Sequence, residues 1–103
     1  MQITPKELKD KLGCGEKIEI LDVREGPERE ICKLEGLWIP LEDLPARLHE
    51  LDASKEMVVV CHHGIRSAHA VGFLQNQGFA RVQNLTGGID RWAQEVDPSM
   101  QRY

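Results

Sequence analysis

Met57-Val58-Val59-Val60 is apolar at every position. A strand points successive side chains to opposite faces, so a strand without a polar side needs cover above and below. Such strands lie in the middle of parallel sheets sandwiched by helices. The run extends only to Cys61 before the chain turns polar, far too short to cross a bilayer. The flanking segments supply the cover. Thr4-Pro5-Lys6-Glu7 combines an N-cap, a proline at the first helical position and a glutamate at capping-box distance. It predicts a helix that ends near Leu12, before the breaker Gly13-Cys14-Gly15.

Ile18 to Val23 reads as a buried strand, and Leu37 to Ile39 as a shorter one closed by Pro40. Gly26 to Glu30 opens a turn and one helical turn. Leu41, Leu44, Leu48 and Leu51 recur at helical spacing and predict an amphipathic helix over 41–51, with Pro45 near its start. A helix is expected over 67–77, a strand over Val82 to Leu85, and a last helix over 89–96 after the Gly87-Gly88 break. A tail begins at about 97. Strands alternating with helices define an α/β domain with a mainly parallel sheet. At 103 residues the chain is read as one domain, 1–103.

Composition narrows the function. The net charge of −4 argues against a nucleic-acid binder held by phosphate neutralisation. No apolar stretch suits a membrane, and Met1 to Pro5 has neither a basic nor an apolar leader region. Three cysteines, with no Cys-x-x-Cys pair, form neither a disulfide framework nor a zinc ribbon. The reading is of a cytoplasmic protein with reduced thiols. Charge is uneven, with a net of −5 over residues 1–60 and +1 over 61–103. That asymmetry suits an anion site in the second half.

Cys61 stands at the end of the strongest strand, followed by His62-His63-Gly64-Ile65-Arg66-Ser67 and a helix. Ligands gather at the carboxyl ends of strands in open α/β sheets. A tight loop running into a helix N-terminus aims several N–H groups into one concavity that suits an anion. The helix dipole contributes only about 0.3–1 kcal/mol to such a charge. Converging N–H groups and Arg66 have to supply the rest. Most free cysteines simply finish a core strand. A core cysteine, however, needs no glycine, arginine and two histidines within five residues.

Cys61 to Ser67 resembles the active-site loop of the rhodanese family, sulfurtransferases that carry sulfur as a cysteine persulfide. Leu21-Asp22-Val23-Arg24-Glu25 is similar to the family's first signature. Glu30-Ile31-Cys32 through Ile39-Pro40-Leu41 resembles its second region, and Leu85 to Trp92 its last. The segments come in family order and cover nearly the whole chain. The resemblance implies a single rhodanese-like domain whose five-stranded parallel sheet carries helices on both faces. The tail from Val96 to Tyr103 resembles that of rhodanese modules appended to adenylating enzymes that activate sulfur carriers.

The family implies that Cys61 takes sulfane sulfur from a small anionic donor such as thiosulfate and passes it to a thiol or cyanide. A sulfur-carrier protein or a protein persulfide is a further partner it implies. No cofactor and no metal are expected. His62, His63, Gly64, Ile65, Arg66 and Ser67 would bind the substrate, with Asp22 and Arg24 as a supporting ion pair. Arg66 can grip a sulfonate, shape the loop by pairing with a carboxylate such as Asp22, or do both. Adjacent histidines on a tight loop diverge, so one metal ion does not collect both together with Cys61. His49 and His69 fall on helical segments, His69 facing solvent. Cys14 is expected exposed and Cys32 buried, and Ile89 and Trp92 are expected to pack the last helix on the sheet.

Two rivals differ in class. Rhodanese-like folds include cysteine phosphatases, but those have five residues between cysteine and arginine. Here there are four, His62 to Ile65, a narrower cradle suited to a single sulfur. The second rival is a binding module or persulfide relay with little thiosulfate activity.

Overall fold

The computed structural model describes residues 1–103. The strands are β1 (Gln2–Ile3), β2 (Ile18–Asp22), β3 (Leu37–Trp38), β4 (Glu56–Val60) and β5 (Val82–Leu85). The helices are α1 (Pro5–Gly13), α2 (Gly26–Ile31), α3 (Ile65–Asn76) and α4 (Gly88–Glu95). All neighbouring strands are parallel, in the order β1-β5-β4-β2-β3. The all-apolar strand is therefore the central one.

Its side chains divide with a period of two, as strand geometry requires. Met57, Val59 and Cys61 join one core with Leu21, Val23, Ala70, Val71 and Leu74, beneath α3. Val58 and Val60 join the other with Leu8, Ile89 and Trp92, beneath α1 and α4. Fully burying an aliphatic side chain contributes about 1.5–3 kcal/mol. The valines of β4 thus fasten both faces at once. Ile89 and Trp92 do pack the last helix on the sheet.

Helix α1 begins as its sequence signals. Thr4 caps it, Glu7 completes the capping box, and Pro5 follows the cap. Two expectations are corrected elsewhere. No continuous helix spans 41–51; two short 3-10 turns, Leu41–Asp43 and Leu48–Glu50, stand there instead. Pro45 lacks the N–H that a continuous helix would bond to the Leu41 carbonyl. Leu44 is still buried, with Leu41, Leu48 and Leu51 packed around the first core, so the leucine spacing served the core without a helix. Helix α3 begins at Ile65, two residues earlier than expected. The fifth strand is β1, two residues paired with Asn84 and Leu85 of β5.

After β3 the chain returns to the far side of β2 to form β4. The carboxyl ends of β2 and β4 lie side by side, with Asp22 opposite Val60. This reversal of strand order opens a crevice of the kind ligands use in α/β sheets. No helix is long and apolar enough to cross a membrane.

Candidate functional site

Cys61 stands at the carboxyl end of β4, and Arg24 follows the neighbouring end of β2. Only His62, His63 and Gly64 separate Cys61 from α3, so the turn must be sharp. Gly64 caps α3 at φ +97°, a left-handed conformation that glycine adopts without steric cost. Gly88 closes the loop from the other side. A β-carbon there would collide with the carbonyl oxygens of Cys61 and His62. That close approach lets the Ile89 and Asp90 N–H groups donate to those two carbonyls, at 2.9 and 3.1 Å.

Cys61 is buried, and its Sγ accepts from the N–H of Gly64 at 3.1 Å and of Ser67 at 3.3 Å. The Ser67 hydroxyl is 3.2 Å from the same sulfur and donates to Asn84 Oδ1. Asn84 Nδ2 in turn donates to the Gly64 carbonyl at 3.0 Å and to Gln2 Oε1 at 3.2 Å. One buried amide on β5 therefore ties both sides of the loop to the sheet. The N–H groups of His62, His63, Ile65 and Arg66 have no hydrogen-bond partner within the protein. Donors around a sulfur, some of them unengaged, form a cradle for a small anionic atom.

The charges around the loop are closely paired. Both Arg66 terminal nitrogens donate to the Glu28 carboxylate at 2.7 Å, a bidentate fork. The loop arginine thus pairs with a carboxylate, one of the two roles expected of it, but the carboxylate is Glu28 rather than Asp22. Asp22 is instead held by Arg24 at 2.7 Å, and Arg29 lies 3.5 Å from it. Arg24 is completely buried, and its other hydrogen bonds reach the carbonyls of Glu28 and Cys32 and the Tyr103 hydroxyl. It fastens α2 to the end of β2, which places Glu28 in front of Arg66.

The Arg66 fork pulls the Glu28 carboxyl down to about 2, against partial burial and with help from the Tyr103 hydroxyl. Glu28 holds Arg66 above its ordinary value. Burial would lower Arg24, but Asp22 and Tyr103 outweigh it and the net shift is upward. Tyr103 is pushed up to about 12, first by burial.

His62 is stacked between His63 and Tyr103, with ring centroids 4.0 and 3.9 Å away. Burial, and then the neighbouring His63, lower its pKa. His63 is exposed, 3.7 Å from Asp90. Ile65 is exposed on the loop, and His69 faces solvent as expected. Cys14 is exposed, whereas Cys32 is half-buried rather than buried, at the edge of the second core.

Cys61, Gly64 and Ser67 meet directly at the sulfur, whereas the Asp22–Arg24 pair reaches the loop only through Glu28, the partner of Arg66. The sequence reading missed Glu28, Asn84 and Tyr103. Asn84 carried a signal, a polar residue inside the apolar strand Val82 to Leu85. Glu28 and Tyr103 carried none, since their partners are distant in sequence.

Residues 4–95 match the model of the Rhodanese-like domain family. The Allochromatium vinosum protein named Sulfurtransferase is 32% identical, the match covering 94% of this chain and 92% of that one. MoeZ of Mycobacterium tuberculosis, named as an adenylyltransferase/sulfurtransferase, is 35% identical over 98% of this chain. This chain spans only 26% of the MoeZ length. A rhodanese-like domain protein from Staphylococcus aureus superposes with a TM-score of 0.85 at 32% identity, covering 93% of this chain and 95% of that one. The chain belongs to the rhodanese-like family, and its single α/β domain with a five-stranded parallel sheet is that family's fold.

Proposed function

We propose that the protein is a sulfurtransferase that carries sulfane sulfur as a persulfide on Cys61. The observation that supports this most is the set of donors near Sγ, two N–H groups already bonded to it and four more unengaged in the loop and the first turn of α3. The Cys61 thiolate attacks the outer sulfur of the donor. The new S–S bond forms as the donor's own S–S bond breaks, and the electron pair leaves with the departing group. With thiosulfate that group is sulfite; with a persulfide it is a thiolate. Cyanide or an acceptor thiol then takes the outer sulfur and returns Cys61 as thiolate. The loop N–H groups stabilise the charge on the terminal sulfur, in the manner of an oxyanion hole. Ser67 and Asn84 hold the loop in the shape that aims them.

Asp22 and Arg24 act as support, fixing α2 beside the loop. The chain is also similar to a module of MoeZ, whose name couples adenylyl transfer with sulfur transfer. This supports a sulfur-carrier protein as the acceptor or a protein persulfide as the donor. Steady-state rates with donor and cyanide both varied test the reaction class. Parallel double-reciprocal lines, with thiocyanate as product, are expected. Intersecting lines would contradict a covalent sulfur intermediate.

A further inference from the structure

All seven arginines of the chain have a carboxylate oxygen within 4.0 Å. Arg66, the cation on the Cys61 loop, has both terminal nitrogens engaged by the two oxygens of Glu28. Glu28 is itself held in place. Its Oε2 accepts from the Tyr103 hydroxyl at 2.8 Å, and its carbonyl accepts from Arg24 at 3.3 Å. Its Oε1 also accepts from the Glu25 N–H at 3.1 Å, as part of the cap of α2. A carboxylate with two further donors beside its arginine, the Tyr103 hydroxyl and the Glu25 N–H, on a residue whose backbone carbonyl is also held, is built into the fold.

A sulfonate would need the fork that Glu28 fills. A dianion approaching the loop meets a neutral pair instead of a cation, within a chain whose net charge is −4. A persulfide of a small uncharged thiol carries less charge and needs only the backbone cradle.

Resting on the sulfurtransferase reading, we infer that Glu28 is a specificity-determining positioning residue, which occupies Arg66 and turns the site from thiosulfate toward low-charge persulfide donors. Both donors deliver sulfur by the same exchange, in which one S–S bond forms at Cys61 Sγ and one breaks in the donor. Only the charge of the leaving group differs.

The test uses kcat/KM for thiosulfate and for the persulfide of 2-mercaptoethanol, with cyanide as acceptor. In wild type the persulfide should be the better donor. Glu28→Gln should raise the ratio of thiosulfate to persulfide by at least about tenfold, since it uncovers one unit charge beside the loop. The doubly substituted Glu28→Gln/Arg66→Gln protein should lose that gain. A ratio unchanged in Glu28→Gln, or a gain that survives without Arg66, would overturn the role of Glu28.

Ionic strength gives a reading on wild type alone. Its kcat/KM for thiosulfate should stay flat or rise with salt. A steep fall would mean an unscreened cation and would equally overturn the inference. No sulfur transfer from either donor in wild type would instead overturn the sulfurtransferase reading itself.

Discussion

Cys61 and Cys14 both stand beside a helix end and close to glycine, but the ends have opposite sign. Cys14 is the C-cap of α1, where its N–H donates to the Asp10 carbonyl and its side chain is exposed. Cys61 precedes the N-terminus of α3, is buried, and receives N–H groups on its sulfur. Helix ends present carbonyls at one terminus and N–H groups at the other, so only the second environment suits a thiolate or a persulfide anion. A thiol is placed for chemistry by the polarity of the backbone around it, and glycine serves only to let that backbone come close.

The strongest way to break this contrast is to exchange each sulfur for oxygen. Cys61→Ser should lower sulfur transfer by at least on the order of 1,000-fold, because oxygen cannot store a persulfide. Cys14→Ser should leave rates within about twofold, since a surface substitution touches none of the machinery. Thiocyanate formation measures both. Substantial activity in Cys61→Ser would contradict the assignment.

The two regions also rest on different ion pairs. Asp22→Ala should destabilise the protein by about 3–5 kcal/mol, because it strands the buried Arg24 guanidinium. Lys11, in the last turn of α1 before Cys14, pairs with Glu56 at 3.0 Å while its side chain stays partly open to solvent. Lys11→Ala should cost far less than Asp22→Ala, since a surface ion pair contributes little. Urea denaturation of the two variants compares them, and equal losses would mean that the Arg24 network does not anchor the site.

Loop width sharpens the contrast further. One small residue inserted between Gly64 and Arg66 should cost on the order of 100-fold in sulfur transfer, the effect expected of a displacement of about 1 Å. The same insertion between Gly13 and Gly15 should be nearly silent. Aryl phosphates should not be turned over by wild type, whose cradle has four residues between cysteine and arginine. Efficient phosphate hydrolysis would oppose sulfur chemistry, and an insertion that left sulfur transfer intact would oppose the cradle geometry.

The smallest effect concerns pH. Glu28 falls from an ordinary 4.5 to about 2 on folding, chiefly through Arg66. A carboxyl lowered on folding contributes stability that is complete above its unfolded value and is lost as pH falls through its folded value. The stability advantage of wild type over Glu28→Gln should therefore shrink as pH drops from 4.5 toward 2. Urea midpoints at successive pH values follow it. A constant gap would mean that the ionised carboxylate is not what holds Arg66.

The sequence made some of this legible and hid the rest for physical reasons. β4 and its loop could be read because burial on both faces leaves a wholly apolar run, and because glycine marks a sharp turn. The capped start of α1 could be read because its signals are local. The 41–51 segment misled, since leucines at helical spacing also suit two 3-10 turns when Pro45 removes a bond between them. The Glu28–Arg66 fork joins residues 38 apart in the chain, and Tyr103 reaches back 75 positions to Glu28. Neither pairing follows from any local pattern. β1 was hidden by its brevity, as two residues give no periodicity to read.

The central claim is that the backbone around Cys61, and not thiol exposure, selects where sulfur is held. The most direct measurement loads the wild-type protein with a limiting amount of 2-mercaptoethanol persulfide and maps the added sulfur by peptide mass. All three thiols then compete, with Cys14 the exposed one. The sulfur should be found on the Cys61 peptide and should disappear on adding cyanide. Sulfur found mainly on Cys14 or Cys32, or spread among the three according to exposure, would contradict the account.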